Sequence, residues 1–412
     1  MKIYLIGIGG IGVSALAQYY LSKSHEVSGS DLVASEITDF LKKGGIKVKI
    51  GQAGKNIEKD VDLVVYSPAV KKDNPEYKKA KRLGIKMQSY PEALGEMTKE
   101  YYTIAVAGAH GKSTTTAMTA LILIKAGLDP TVIVGTKVRE FGNSNFRAGK
   151  SKLLVIEACE YDSSFLHYSP KVIVVTNIDK EHLDYFKTFS NVKKAFRNFI
   201  AKLPADGFLV QNVKGKQKDI QKLKKILKVP GMHNVSNALA ALEVARVLDI
   251  PDSISFSALS EFKGTWRRFE IKKGKAGEKK ITVVSDYGHH PNEISATLKA
   301  AREEYPNKRI WCVFQPHQYQ RTHYLFDDFV KVFRSAPVDN IIITDIYDVA
   351  GREEKGISKR TSSKKLVEKV DKKNVSFLLL CDIAEFVKKN IQSGDVLIIM
   401  GAGDIYKLAD KF

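Results

Sequence analysis

Short apolar stretches of strand length alternate along the whole chain with segments of helical periodicity. The apolar stretches fall at 3–6, 27–30 and 61–66, then at 102–107, 153–157 and 172–176, and finally at 281–285, 310–314, 340–344, 377–380 and 396–400. Between them, segments such as 12–22 and 91–98 place apolar residues every three to four positions, which lines one face of a helix. Strands that are apolar throughout need cover on both sides, so the alternation predicts parallel sheets flanked by helices. The stretches form three groups with boundaries near 98 and 266, giving segments 1–98, 99–266 and 267–412. At roughly 150 residues per domain, 412 residues accommodate about two or three domains, and no repeat of solenoid period is present.

The strand ends carry the chemistry. Gly7-Ile8-Gly9-Gly10-Ile11-Gly12 follows the first strand and opens a helix, and Asp31 stands 19 residues after Gly12 at the end of the second strand. Glycines let such a turn pass close to a phosphate, helix amides face it, and the acid meets a ribose or sugar hydroxyl. A nicotinamide cofactor and other diphosphate nucleotides fit this motif alike; a tight turn without ligand is the plain alternative. At the head of the second group a strand runs into Gly108-Ala109-His110-Gly111-Lys112-Ser113-Thr114-Thr115. This is a phosphate-binding loop in which backbone amides cradle phosphate oxygens, Lys112 reaches the β- and γ-phosphates and Ser113 suits Mg²⁺. It is a variant, because the strict pattern requires glycine where Val106 stands.

Two more strands of this group end in polar clusters, Glu157 to Glu160 and Thr176 to Asp184, the latter containing His182. A carboxylate and an imidazole beside Ser113 would suit a divalent cation, whereas Glu160, Glu181 and Asp184 taken singly are expected to be ordinary loop residues. Asn234 and Asn237 begin an apolar helix and would serve equally as caps. Arg267 and Arg268 sit at the second boundary, suited to phosphoryl charge or to a salt-bridged hinge. In the third group strands run into Asp286-Tyr287-Gly288-His289-His290 and into His317-Gln318-Tyr319-Gln320-Arg321. The paired histidines lack a third ligand at zinc spacing, so polar loops at strand ends are the simpler expectation.

Charge changes the picture little. Lys+Arg 66 against Asp+Glu 46 gives +20, but the basic residues are 53 Lys and only 13 Arg. Many lysines fall in polar runs, 214–228 and 272–280, without aromatic residues to stack on bases. Readers of nucleic acid recruit Arg and aromatics, so the excess is expected to be a solvated surface with no nucleic-acid partner. Cys159, Cys312 and Cys381 have no metal-ligand spacing and point to a reducing compartment. The apolar N-terminus is interrupted by four glycines, unlike a signal peptide, and no run reaches membrane-span length. The expectation is a cytoplasmic protein without a membrane partner.

The ordered set of motifs resembles the Mur ligase family of ATP-dependent amide-forming enzymes over essentially the whole chain. The Gly7 to Gly12 run, the Gly108 to Thr115 loop, Glu157-Ala158-Cys159-Glu160, Thr176-Asn177-Ile178-Asp179, His233 to Asn237, Arg267 to Glu270 and Asp286 to Pro291 carry the resemblance. It implies a Rossmann-like UDP-binding domain, a central P-loop ATPase domain and a Rossmann-like C-terminal domain for the amino acid. The implied cofactors are ATP and Mg²⁺, and the implied partners are UDP-N-acetylmuramate and a small L-amino acid, in a monomer or homodimer. By resemblance Gly9, Gly10, Ile11, Gly12, Asp31 and Ser67 bind the UDP-sugar, and Gly108, Ala109, His110, Gly111, Lys112, Ser113, Thr114, Asn234, Asn237, Arg268 and Asp286 bind ATP. Ser113, Glu157 and His182 serve the metal, Tyr287, His289 and Arg321 the amino acid, and Lys112, His182, Arg268 and His289 the catalysis.

Within the family, the opening glycine run and the segments 286–291 and 314–322 are most similar to members that add the first amino acid to the sugar nucleotide. Members that attach a whole tripeptide come second. From another class, the charge and phosphate loop leave open a nucleic-acid-dependent ATPase. An oxidoreductase explains the first glycine motif and leaves Lys112 without a role. Departures from the family pattern are Gln318 for an arginine, Cys159 and Glu181 for aspartates, and Phe196 in the register where some members carry a carbamylated lysine. The chain is also shorter than typical relatives, which suggests trimmed loops in the second and third domains.

Overall fold

The computed structural model describes residues 1–349, 353, 354 and 356–412. Its first sheet contains β1 (Lys2–Ile6), β2 (Glu26–Asp31), β3 (Lys47–Ile50), β4 (Leu63–Tyr66) and β5 (Lys86–Ser89), all parallel, in the order β3-β2-β1-β4-β5. The order reverses at β1, so the chain ends of β1 and β4 diverge and open the crevice in which such sheets hold ligands. The second sheet contains β6 (Tyr102–Ala107), β7 (Thr131–Val138), β8 (Ser144–Arg147), β9 (Leu153–Glu157), β10 (Val172–Val175) and β11 (Phe208–Gln211), ordered β11-β10-β6-β9-β7-β8. The third contains β12 (Glu270–Ala276), β13 (Lys279–Asp286), β14 (Ile310–Phe314), β15 (Asn340–Ile343), β16 (Val375–Phe377) and β17 (Val396–Met400), ordered β12-β13-β17-β14-β15-β16.

Each sheet takes helices on its faces, and the architecture is a three-sheet α/β fold. Two compact units emerge from the packing. One comprises Met1–Asp179, Lys193–Asp219 and Asn237–Glu261 and holds the first two sheets; the other comprises Lys180–Val192, Ile220–Ser236 and Phe262–Phe412 and holds the third. No helix among the described residues is long and apolar enough to cross a membrane.

The apolar runs lie where the pattern places them: the side chains of β10, β14 and β17 are all buried. The sequence expectation does not include the edge strands β3, β5 and β11, whose residues are mostly exposed or half-buried, and it differs from the structure in three further places. The run 377–380 is not a strand; β16 stops at Phe377 and a helix, Leu380–Asn390, begins inside the same apolar stretch, which periodicity alone cannot divide. The polar run 272–280 covers most of β12, an antiparallel edge strand turned into β13 by Gly277 at φ +66°. Its lysines blunt an exposed edge. The antiparallel hairpin of β7 and β8 is not among the expected elements, although Val132, Ile133 and Val134 form an apolar run in β7.

Packing also brings polar groups inside. Glu76, fully buried at the start of the helix Pro75–Arg82, accepts hydrogen bonds from Tyr4 Oη, Ser30 Oγ, Asn56 Nδ2 and Ala53 N, which ties that helix to β1 and β2. Four donors satisfy the carboxylate without a cation. Phe165 stacks on Phe199 with ring centroids 4.4 Å apart and meets Phe196 edge-on at 5.4 Å, all three fully buried. Phe196 is therefore a core residue of the second sheet's helical layer. Replacing Phe165 with Ala should cost about 3–5 kcal/mol of folding stability; chemical denaturation of the two proteins measures it.

Candidate active site

The glycine-rich loop lies at the ends of β1, β2 and β4. Ser30 O accepts hydrogen bonds from Gly7 N and Ile8 N at 2.8 and 2.9 Å, and Asp31 Oδ2 accepts one from Gly9 N at 2.8 Å. A Cβ on Gly9 would lie 2.8 Å from that carboxylate, and one on Gly12 would lie 2.7 Å from the Tyr90 ring. The glycines are thus required by the neighbours as well as by any ligand. Gly10 precedes the helix Ile11–Ser22, whose first turn carries no acidic residue, leaving its amides suited to an anion. Ser67 follows β4 and its Cβ lies 3.0 Å from the position of a Cβ on Gly7. The structure therefore gathers Gly9, Gly10, Ile11, Gly12, Asp31 and Ser67 at one end of the first sheet.

The second loop joins β6 to the helix Lys112–Lys125. Gly108 at φ +138° and Gly111 at φ +83° turn it; a Cβ on Gly108 would collide with the Thr176 hydroxyl, and one on Gly111 with the Asn237 amide. The end of β10 holds the loop open. Asn177 O accepts from Ala109 N at 3.1 Å, Asn177 Oδ1 accepts from His110 N at 2.9 Å, and Thr176 Oγ1 donates to His110 O at 2.6 Å. The His110 ring lies 3.0 Å from the Asp179 carboxylate. Thr114 is buried in the first helical turn. Val106, where the strict pattern asks for glycine, is a buried residue of β6, so the loop begins two residues later.

Lys112 Nζ donates to Gly108 O at 2.5 Å and to Ala109 O at 3.2 Å, and lies 3.1 Å from the buried Glu160 carboxylate. Burial alone would lower the ammonium pKa; Glu160, with Cys159 and Glu157, more than reverses this and holds Lys112 protonated. Glu160, expected to be an ordinary loop residue, is the partner of the central cation. Its only sequence signal was the Glu-x-x-Glu spacing after β9. Ser113 Oγ donates to Glu157 Oε2 at 2.7 Å, and Gly135 N donates to the same oxygen at 2.8 Å. A hydroxyl and a carboxylate in contact are hard oxygen donors of the kind Mg²⁺ takes, so these two residues fit that ion.

The second unit carries the other candidate residues. Asp286, buried at the end of β13, accepts from Phe269 N and Gly288 N at 2.8 Å each and from Thr297 Oγ1 at 3.3 Å, so it shapes the loop that presents Tyr287 and His289. Arg268 lies 3.4 Å from Glu293 and over the Tyr287 ring. Arg267 is buried, donates to Gly401 O and Gly403 O, and is surrounded by the rings of Trp266, Tyr287 and Tyr406; its part is structural. Asn234 Nδ2 donates to Pro230 O at 2.7 Å, within the turn that starts the helix Met232–Val247.

Arg321 donates from Nη1 to His317 O at 3.1 Å and from Nη2 to Glu181 Oε2 at 3.3 Å. His182, at φ +54°, lies 3.9 Å from the same Glu181 oxygen. Burial by itself would raise the Glu181 carboxyl pKa, but Arg321, followed by His182, His289 and His290, holds it well below the ordinary carboxylate range. A small cleft opens here, lined among others by Glu181, His182, Gln318, Arg321 and Leu325. Ser113 and Glu157 thus adjoin in the first unit, while His182 belongs to the second.

A glycine loop on one sheet and a phosphate-type loop on the next define a three-domain α/β protein built to handle nucleotide phosphates. Family models agree along the chain: the Mur ligase family catalytic domain matches residues 2–102, the Mur ligase middle domain 106–227, and the Mur ligase glutamate ligase domain 267–403. The chain belongs to the Mur ligase family. It is 42% identical to the UDP-N-acetylmuramate–L-alanine ligase of Acetivibrio thermocellus, covering 100% of this chain and 95% of that protein. It is 41% identical to the enzyme of the same name from Caldanaerobacter subterraneus subsp. tengcongensis, with 100% and 97% covered. Among solved structures it superimposes on the UDP-N-acetylmuramate–alanine ligase of Thermotoga maritima with a TM-score of 0.82, at 28% identity, over 100% of this chain and 98% of that one.

His289 gives a pH test of the second cluster. Its imidazole, with Nδ1 3.2 Å from Tyr287 O, has a pKa lowered to about 4. Burial is the main cause; Arg321 and Arg268 add to it, while Glu293 and Glu181 oppose it. The unfolded imidazole titrates near 6.5, so between about pH 6.5 and 4 the unfolded chain binds a proton the folded one refuses, and stability falls as pH drops. The Glu181 contribution begins to be lost only below about pH 4.5. His289→Gln should therefore show a shallower loss of denaturation midpoint from pH 6.5 to 4.5 than the parent protein.

Proposed function

We propose that this chain is an ATP-dependent carboxylate–amine ligase that joins L-alanine, or a similarly small amino acid, to UDP-N-acetylmuramate in peptidoglycan precursor synthesis. The observation that carries the reading is the pairing of Lys112 with Glu160 and of Ser113 with Glu157 at the ends of adjacent strands, in a chain matched over its whole length by ligases of that name. Residues 1–98 would bind the UDP-sugar, 99–266 ATP, and 267–412 the amino acid. The reading includes a cytoplasmic location and a monomer or homodimer.

A carboxylate is a poor electrophile until one oxygen becomes a good leaving group. The muramyl carboxylate oxygen attacks the γ-phosphorus, forming a carboxyl–phosphoryl bond as the bond to ADP breaks. The amine nitrogen then attacks the acyl carbon, and the tetrahedral intermediate expels phosphate while the nitrogen loses a proton. Lys112 and the loop amides hold the phosphates, and Arg268 meets the charge that develops at the transferred group. Ser113 and Glu157, with His182, would hold Mg²⁺, which when bound neutralises phosphate charge. Arg321 receives the amino acid's carboxylate. His289, neutral at pH 7 and donating from Nδ1 to Tyr287 O, presents Nε2 as an acceptor towards the ammonium. Asn237 adjoins Gly111 of the phosphate loop, from where it would approach the base, and Gln318 lines the small cleft with Arg321, where it would meet the amino acid.

Purified protein given ATP, Mg²⁺ and UDP-N-acetylmuramate should release phosphate on addition of L-alanine, glycine or L-serine, with L-alanine preferred. Release with the tripeptide but none of these would assign the recycling reaction instead, and stimulation by DNA or RNA without the sugar nucleotide would assign a nucleic-acid-dependent ATPase. Lys112→Ala should lower turnover by about 10³-fold or more while UDP-sugar binding persists in calorimetry.

A further inference from the structure

The proposed reaction needs two ligands held by two different sheets. The sugar nucleotide is placed by the loop after β1, and ATP by the loop after β6. A carboxylate oxygen attacking a γ-phosphorus must be brought to about 3–3.5 Å in line, and a displacement of about 1 Å costs on the order of 10²-fold in rate. Whatever fixes the first sheet against the second therefore bears on the chemical step.

The hairpin of β7 and β8 makes that connection within the first unit. At one end, Gly135 N of β7 donates to Glu157 Oε2, the oxygen that also accepts from Ser113 Oγ. A side chain at Gly135 would lie 2.8 Å from that carboxylate, so the strand is seated against the phosphate-loop helix through Glu157. At the other end, Asn145 of β8 is 5% exposed and spends its whole amide on the helix that follows the glycine loop. Its Nδ2 donates to Ile11 O and to Ser14 Oγ, the latter at 3.0 Å, and its Oδ1 accepts from Gln18 Nε2 at 2.9 Å. Ser144 Oγ closes the set by donating to Gln18 Oε1 at 3.0 Å. Ile11 belongs to the glycine motif itself. The Phe146 ring meets Tyr19 edge-on beside the cluster, and Lys137 pairs with Glu36 at 2.8 Å across it.

We infer that Asn145 is a positioning residue for phosphoryl transfer: it fixes the glycine-loop helix in register with the phosphate loop and touches neither reacting group. The inference rests on the ligase reading of the preceding section. A buried amide with both ends satisfied tolerates no shift, because sliding the helix would strand donors and acceptors away from water. A hydrophobic contact of the same area would permit small slips.

The experiment uses Asn145→Ala, Gln18→Ala and the double variant in the full chain, with single-turnover ADP formation from ATP and UDP-N-acetylmuramate, and calorimetric binding of each ligand alone. The expected result is a loss of about 10–100-fold in the single-turnover rate of Asn145→Ala, with each separate dissociation constant within about threefold of the parent and a smaller loss for Gln18→Ala. The double variant should lose less than the product of the two single losses, since the two side chains share one contact. Parent-like single-turnover rates in both variants overturn the inference, as does a proportionate loss of binding of either ligand alone. Should Asn145→Ala fail to fold, the partly buried Gln18 still decides the matter by the same split between rate and binding. If the parent protein itself forms no ADP from these substrates, the ligase reading fails first, which separates the two conclusions.

Discussion

The phosphate loop is held open by the strand beside it, and the remaining chemistry is arranged around that fact. Two glycines at positive φ give 108–111 a path no other residues take easily, but glycine is also the most mobile backbone, and freedom alone would not hold amides towards one point. Thr176 and Asn177 remove the freedom by hydrogen bonding to Ala109 and His110 from the end of β10. With the loop fixed, Lys112 is buried against its own carbonyls, and a buried ammonium requires a countercharge, which Glu160 supplies. Glu157 on the same strand end then aligns Ser113 and Gly135, and through the hairpin the constraint reaches the first sheet.

The second unit solves the equivalent problem with charge. Glu181 is buried next to Arg321, whose charge keeps it ionised, and it in turn keeps the guanidinium oriented. Asp286 acts differently: its oxygens are used by backbone amides and the Thr297 hydroxyl, and its effect on the site passes through the conformation of the loop carrying Tyr287 and His289. One carboxylate orients a side chain, the other a backbone. Arg267 and Arg268, adjacent and alike in sequence, divide in the same manner. The first is enclosed by aromatic rings and carbonyls, and the second is paired with Glu293 beside the Tyr287 ring.

The charge excess divides along similar lines. Lys112 is the buried cation of the loop, whereas the lysines of the helix Gln217–Ile226 and of β12 stand at the surface, where they solvate a helix face and blunt a strand edge. A net +20 thus coexists with a site that uses few cations.

Apolar runs such as 172–175 and 396–400 have strand length and leave no face for water, so the central strands were legible from sequence while the polar edge strands were not. The glycine and phosphate loops were legible as well, since their spacing is a local consequence of turning a strand into a helix around an anion. Asn145 and Gln18, 127 positions apart, carry no local pattern, and the motifs holding Glu160 and Asp179 do not say that these face Lys112 and His110. Polar residues in such places look like any surface residue until the fold removes water around them. The division of 377–380 between strand and helix was hidden for a related reason, because one apolar run satisfied both. The sequence by itself determined the central strands and the two glycine-rich loops, which follow from burial and backbone sterics over short spans. Only the tertiary structure decided which polar groups pair, because that choice depends on which of them lose water together.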